Sequence, residues 1–167
     1  MTPLRDFFDT LERIGENPGS YAAIFDVDGT LADVSELRQK WLYSEDHGKD
    51  FQEFHAASVD APVIEWVREA AVLAHGRGLA VIIVTGRTSR WRGHTAWWLA
   101  LNEIPSDALY MRGAKDHRPD ALVKADILER IKASWSPVWA FDDNPSTIAV
   151  WVHAGIPVTV VPGWVDK

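Results

Sequence analysis

Five short apolar runs punctuate the chain: Tyr21 to Phe25, Ala80 to Val84, Ala108 to Met111, Val138 to Phe141 and Val158 to Val161. Turn residues bound them, and none shows the regular polar alternation of a half-exposed strand. They predict strands buried on both faces. Between them the apolar positions fall at helical spacing. A segment from Asp60 or Ala61 to His75 predicts a helix that Gly76 and Gly78 end. Residues 93–103 predict another. Pro119 to Ala133 predicts a third, with Leu122, Ile127, Leu128 and Ile131 on its buried side. Pro145 to Ala154 predicts a fourth, closed by Gly155. Upstream, residues 2–14 read as an amphipathic helix. Thr2 suits its cap, Pro3 its first turn, and Leu4, Phe7, Phe8, Leu11 and Ile14 its apolar face. Asn17-Pro18-Gly19-Ser20 breaks it.

Strands alternating with helices predict a three-layer α/β/α, Rossmann-like fold around a parallel sheet. In such sheets ligands bind beyond the carboxyl ends of the strands. Residues 32–60 interrupt the alternation, with Trp41, Tyr43, Phe51 and Phe54 among many charges. This stretch predicts one or two short helices, or an ordered loop, over the site. The expected organisation is one domain over 1–167, with residues 32–60 as a small cap-like insert.

Composition narrows the function classes. A formal net charge of −7 argues against general attraction to duplex nucleic acid, though a local basic site remains open. The absence of cysteine excludes disulfides, zinc-thiolate sites and a thiol nucleophile. The first twenty residues lack the apolar core of a signal peptide, and no apolar run approaches the about 18 residues of a membrane span. The expectation is a soluble, cytoplasmic protein. The six histidines show no metal-ligand spacing, and the nine tryptophans read mainly as packing mass.

Four polar segments carry candidate chemistry. Asp26-Val27-Asp28-Gly29-Thr30 sets two carboxylates at the end of the first apolar run. Crowded carboxylates need a cation or a shared proton, and magnesium suits an all-oxygen site. Gly29 permits a sharp turn whose amides can hold phosphate oxygens. Thr85-Gly86-Arg87 ends the second run with a hydroxyl and a guanidinium. Asp120 and Lys124 lie four apart on one helix face. Asp142-Asp143-Asn144 follows another run and precedes a helix. Each has an ordinary alternative: an acidic turn, a strand-end turn, a surface ion pair and a helix cap.

The order of all four resembles that of the haloacid dehalogenase superfamily of phosphotransferases, over roughly residues 21–161. The resemblance implies that Asp26 is a nucleophile forming an aspartyl-phosphate. Asp28 would be the general acid and then base, with a raised pKa in the loaded site. It implies that Thr85 binds phosphate and Lys124 screens charge. Gly29, Thr30 and Gly86 belong to the substrate-binding turns. Asp26, Asp28, Asp142 and Asp143 would hold Mg2+, with Asp142 the main ligand of the last pair, Asp143 assisting it, and the Val27 or Asp28 carbonyl completing the protein's share.

A narrower likeness lies in Tyr110-Met111-Arg112-Gly113 followed by Asp116-His117-Arg118-Pro119-Asp120-Ala121-Leu122-Val123-Lys124, and in Asp142-Asp143-Asn144 followed by Val150-Trp151 and Gly155-Ile156. These are similar to the 3′-phosphatase domain of phage-type polynucleotide kinase-phosphatases. That likeness adds Arg87 as a phosphate holder and Asp120 as an orienter of Arg87 or Lys124. It implies 3′-phosphorylated DNA or RNA ends, or nucleotides, as substrate. No Gly-x-x-x-x-Gly-Lys-Ser/Thr loop accompanies it, so this chain lacks the kinase signature. The insert does not match the family's linker, and Arg38 is a candidate for an arginine found there. Arg87, Arg90, Trp91, Arg92 and His94 can bind nucleotide phosphates and stack a base. Equally, they can form a solvated loop, with Trp97 and Trp98 in the core. The competing readings are a phosphatase for small esters, such as mononucleotides or sugar phosphates, and a non-catalytic phosphate-binding module.

Overall fold

The computed structural model describes residues 4–14, 19–44 and 48–164. Thr2, Pro3, Asn17 and Pro18, which carry part of the expected first helix and its stop, lie outside them. The five apolar runs form one parallel sheet: β1 Tyr21–Phe25, β2 Ala80–Thr88, β3 Ala108–Arg112, β4 Ser136–Asp142 and β5 Val158–Val160. The order is β3-β2-β1-β4-β5, so the chain leaves β1 in one direction and later returns to its other side. The reversal makes β1 and β4 adjacent and opens a crevice at their carboxyl ends.

Helices α1 Arg5–Ile14, α4 Glu65–Gly76, α5 Arg92–Leu101, α6 Asp120–Lys132 and α7 Pro145–His153 flank the sheet. Strand alternation divides the core. Ala23, Phe25, Val81, Ile83 and Phe141 face Phe7, Val67, Ala70, Ala74 and Trp98. Ala22, Ile24, Ile82, Val84 and Ala140 face Val123, Ile127, Leu128, Ile131 and Trp151. Phe25 and Phe141 stack at 4.6 Å, and Phe7 meets Phe141 edge-on at 5.1 Å. These rings hold β1, β4 and α1 together just below the crevice.

Three expectations shift by a residue or a few. Leu122 is 53% exposed, and Val123 takes its place in the core. A one-residue step turns a helix by about 100°, and the row through Val123, Ile127 and Ile131 is the one facing the sheet. α4 starts only at Glu65, because Ala61 precedes Pro62 and takes an extended conformation. Trp98 is buried as expected, but Trp97 is 52% exposed.

The insert contains two short helices, α2 Ser35–Leu37 and α3 Phe51–Ala57, as expected, and two tighter or wider turns. Arg38–Leu42 is a π-turn and Ser58–Asp60 a single 3-10 turn. The Asp50 carboxylate caps α3 by accepting from the Gln52 and Glu53 amides at 3.0 Å. An Ala32–Val63 bridge closes the insert's neck, and Trp98 Nε1 donates to Ala61 O at 2.9 Å. Among the described residues, no helix is long and apolar enough to cross a membrane.

Candidate active site

Asp26 follows β1 directly and Asp142 ends β4, so neighbouring central strands deliver both carboxylates to one crevice. The Asp26 amide donates to Phe141 O at 3.0 Å, which locks the two strand ends together. Lys124 reaches in from α6 and is 1% exposed. Its Nζ donates to Asp26 Oδ1 at 2.8 Å and Asp142 Oδ2 at 2.9 Å, and lies 3.7 Å from Asp120 Oδ2. Arg38, at the start of the π-turn, donates to Asp143 Oδ2 at 2.7 Å and to the Asp28 carbonyl at 2.6 Å. The insert thus contributes a buried cation to the site.

The two members of the last acidic pair have different surroundings. Asp142 Oδ1 accepts from Thr147 Oγ1 at 2.6 Å and the Asn144 amide at 3.0 Å. Its Oδ2 accepts from Trp151 Nε1 at 3.0 Å as well as from Lys124. Four donors use the lone-pair capacity of a carboxylate. Asp143 Oδ1 and Asp26 Oδ2 have no hydrogen-bond partner among the described residues. Asp142 thus carries the donors that fix Lys124, while Asp143 and Asp26 keep an oxygen without such a donor.

Asp26, Asp142 and Asp143 each offer an oxygen, all within 4.8 Å of one another. Burial, together with Asp142 and Asp143, raises the Asp26 pKa well above its ordinary value against the pull of Lys124. Burial also raises Asp143, against the pull of Arg38. Burial opposes the charge on Lys124, but Asp142, Asp26 and Asp120 outweigh it and raise its pKa well above the usual amine value. Among the described residues, the three carboxylates thus form ion pairs only with Lys124 and Arg38. Hard oxygen donors with uncompensated negative charge fit a divalent cation such as magnesium. The Asp28 carboxylate lies outside this cluster, and the Asp28 backbone carbonyl, expected to face a metal, accepts from Arg38.

Instead, Asp28 pairs with Arg87: Nε to Oδ2 at 2.9 Å and Nη2 to Oδ1 at 2.6 Å. Burial would raise the Asp28 pKa, but the Arg87 guanidinium overcomes it and holds the acid below its usual value. Arg87 is 1% exposed and also donates to Thr95 Oγ1 at 3.3 Å. Arg87, expected to hold phosphate, here grips the candidate acid with its Nε and Nη2. Of its two expected partners, Asp120 lies beside Lys124, at 3.7 Å, and not against Arg87. It accepts from Arg112 Nη2 at 3.1 Å, and Arg112 Nε donates to Gly86 O at 2.9 Å. Gly86 lies where the β2–β3 register shifts between Thr85 and Thr88, and a Cβ there would meet Asp120 Oδ1 at 2.6 Å. Thr85 is fully buried and accepts from the Arg87 amide at 3.2 Å.

In the turn after β1, the amides of Gly29, Thr30, Leu31 and Ala32 are spent on carbonyls within the turn. Gly29 has φ of +91°, and a Cβ on it would lie 2.1 Å from Asp143 Oδ2. Only glycine lets the turn close on the Asp143–Arg38 pair. Thr30 is fully buried with an Oγ1 lacking any hydrogen-bond partner among the described residues. Thr95 and Thr147 are site-supporting residues that no local motif announced, whereas Arg112 and Trp151 stand inside the segments that carry the family likeness, without a role assigned to them there. The signal for Arg38 was weak: one arginine between Leu37 and the Trp41-Leu42 pair.

The family model for the polynucleotide kinase PNKP phosphatase domain matches residues 20–163. A chain in the structure of the Pnkp1/Rnl/Hen1 complex is 26% identical with a TM-score of 0.72, covering 85% of this chain and 46% of that one. This chain thus spans less than half the length of that relative. The class C acid phosphatase of Bacillus anthracis, with tungstate bound, shares the fold at a TM-score of 0.70 and 15% identity, with 94% and 71% coverage. A haloacid dehalogenase family enzyme of Bacteroides thetaiotaomicron, in complex with magnesium and inorganic phosphate, shares it at 0.52 and 13% identity, with 89% and 97% coverage. No curated protein matches the chain.

Proposed function

The chain belongs to the family of polynucleotide kinase PNKP phosphatase domains, a haloacid dehalogenase-type phosphatase fold, and from that premise we propose that it removes 3′-phosphate from polynucleotide ends or nucleotides through an aspartyl-phosphate on Asp26. The observation that carries the chemistry is the Lys124 ammonium bridging Asp26 and Asp142 beside a third carboxylate. Lys124 occupies Oδ1 of Asp26 and leaves Oδ2 to attack phosphorus. The P–O ester bond breaks, and Asp28 gives its proton to the leaving oxygen. Asp28 then accepts a proton from water as that water attacks the phosphorus. Inorganic phosphate leaves and the Asp26 carboxylate is restored. Splitting the displacement in two lowers each barrier. Asp26 and Asp143 would hold magnesium, with the Asp28 carbonyl nearby; when bound, the cation offsets the charge on the nucleophile and phosphoryl group. The Thr85 hydroxyl is the phosphate donor in this reading; the amides of Gly29, Thr30, Leu31 and Ala32, expected to share that role, are spent within their own turn. The insert of residues 32–60 acts as a small cap.

A substrate panel with magnesium tests the proposal. It pairs a 3′-phosphorylated oligonucleotide with its 5′ isomer, mononucleotides and sugar phosphates. The expected result is preference for the 3′-phosphate. Equal turnover of all four, or preference for sugar phosphates, would overturn it.

A further inference from the structure

An aromatic surface runs from the insert to the segment after β2. The ring centroids of His55 and Trp91 lie 6.0 Å apart, and those of Trp91 and His94 lie 5.1 Å apart. On the insert side His55 meets Phe54 at 5.1 Å and Phe51 at 6.4 Å. Phe54 is buried and anchors the row, whereas Phe51 is 53% exposed, Trp91 is half-buried and His94 is exposed. Core packing does not account for rings left in water.

Three observations tie this surface to the reacting end of a substrate. His55 interacts electrostatically with Asp28, Arg87 and Arg112, so it stands beside the candidate acid. Arg87, which grips Asp28, donates to Thr95 in α5, the helix that continues directly from Trp91. Arg90 and Arg92 flank Trp91 on the exposed side, a local basic edge in a chain of net charge −7. In addition, His55 Nδ1 is shielded from water with no hydrogen-bond partner among the described residues. Burial keeps the ring neutral, which favours stacking.

We propose that the surface of Trp91, His55 and His94 seats the nucleobase of the leaving nucleotide, with Trp91 as the specificity-determining residue and Arg90 and Arg92 beside the adjoining phosphodiester. The inference rests on the functional reading above and deepens it. Base-on-aromatic stacking is tolerant of base identity, so the seat selects nucleotides over plain sugar phosphates without reading sequence.

The test is steady-state kinetics of the full chain with magnesium on two 3′-phosphorylated dinucleotides. One carries a base on the terminal sugar and the other is abasic there. The wild type is expected to show a KM about 10-fold to 100-fold lower for the base-bearing substrate. Trp91→Ala should raise that KM to the abasic level with kcat and the abasic KM unchanged, and Trp91→Phe should retain most of the difference. A wild type that cleaves both with equal KM refutes the seat without any variant. So does a Trp91→Ala effect equal on both substrates. A wild type that cleaves neither, yet cleaves sugar phosphates, refutes the functional reading itself and the seat with it.

Discussion

The guanidinium of Arg87 grips the carboxylate of Asp28 at both oxygens, at 2.9 and 2.6 Å, while Arg38 holds the carbonyl of the same residue at 2.6 Å. Two buried arginines from different parts of the chain thus fix one acid. A two-pronged pair of this kind favours the ionised carboxylate. A proton donor must be protonated when the ester bond breaks. An incoming phosphoryl group, being an anion, competes with Asp28 for this positive charge and so returns the acid toward its protonated form.

The pH dependence should report this pairing. Activity that needs protonated Asp28 falls as pH rises through the governing pKa. Arg87 lowers that pKa, so Arg87→Gln should move the fall in kcat/KM to higher pH. Asp28→Asn should lower kcat by about 10²- to 10⁴-fold, and Asp26→Asn should abolish turnover. An Arg87→Gln profile superimposable on the wild type would show that the pair does not tune the acid.

Two glycines should respond to alanine with opposite signs. Gly29 has φ of +91° and faces Asp143 Oδ2 at 2.1 Å from an added Cβ. Gly29→Ala should destabilise by about 1–3 kcal/mol from the backbone alone, with more from the displaced Asp143–Arg38 pair. Gly93 lies in the first turn of α5 with nothing within 4 Å of an added Cβ. Gly93→Ala should stabilise by about 0.5–1 kcal/mol. Urea unfolding midpoints measure both, and equal shifts would contradict the geometry.

Asp142 and Asp143 should separate into fold and metal roles. Asp142→Asn disturbs four donors on a fully buried carboxylate and should cost about 3–5 kcal/mol. Asp143→Asn should cost less in the absence of metal, because burial already disfavours that charge. With magnesium at a hundred times its dissociation constant, the wild type should gain about 2.7 kcal/mol, and Asp143→Asn should lose most of that gain. Thermal unfolding with and without magnesium reads this. A full magnesium shift retained in Asp143→Asn would remove Asp143 from the ligand set.

Strands, helices and the four motifs were legible because each is local: an apolar run, a turn residue, a carboxylate at the junction. The partners of those motifs were not. Arg38 meets Asp143 across 105 positions, and nothing near either residue encodes the meeting. Arg87 entered the site through the family likeness, as a phosphate holder. Its grip on Asp28 comes from the pairing that sets β2 beside β1, which no local motif encodes. Leu122 and Val123 are equally apolar, and only the docking of α6 on the sheet decides which one is buried.

His55 gives a stability prediction whose sign follows from proton uptake. Burial pushes its pKa down to about 4, with Arg87 and Arg112 opposing the charged ring and Asp28 only partly offsetting them. An unfolded chain takes up that proton near the ordinary value of about 6.5. Between these values the unfolded state binds more protons, so stability declines as pH falls from about 6.5 to about 4. The contribution is fully present above that window, and its loss amounts to about 3 kcal/mol across it. Buried carboxylates of the acidic cluster also titrate on acidification, so the wild type must be compared with His55→Gln. The variant should show a shallower loss of stability over the same window, and the two curves should run parallel above pH of about 7. Parallel curves throughout would mean that His55 is solvated enough to titrate normally.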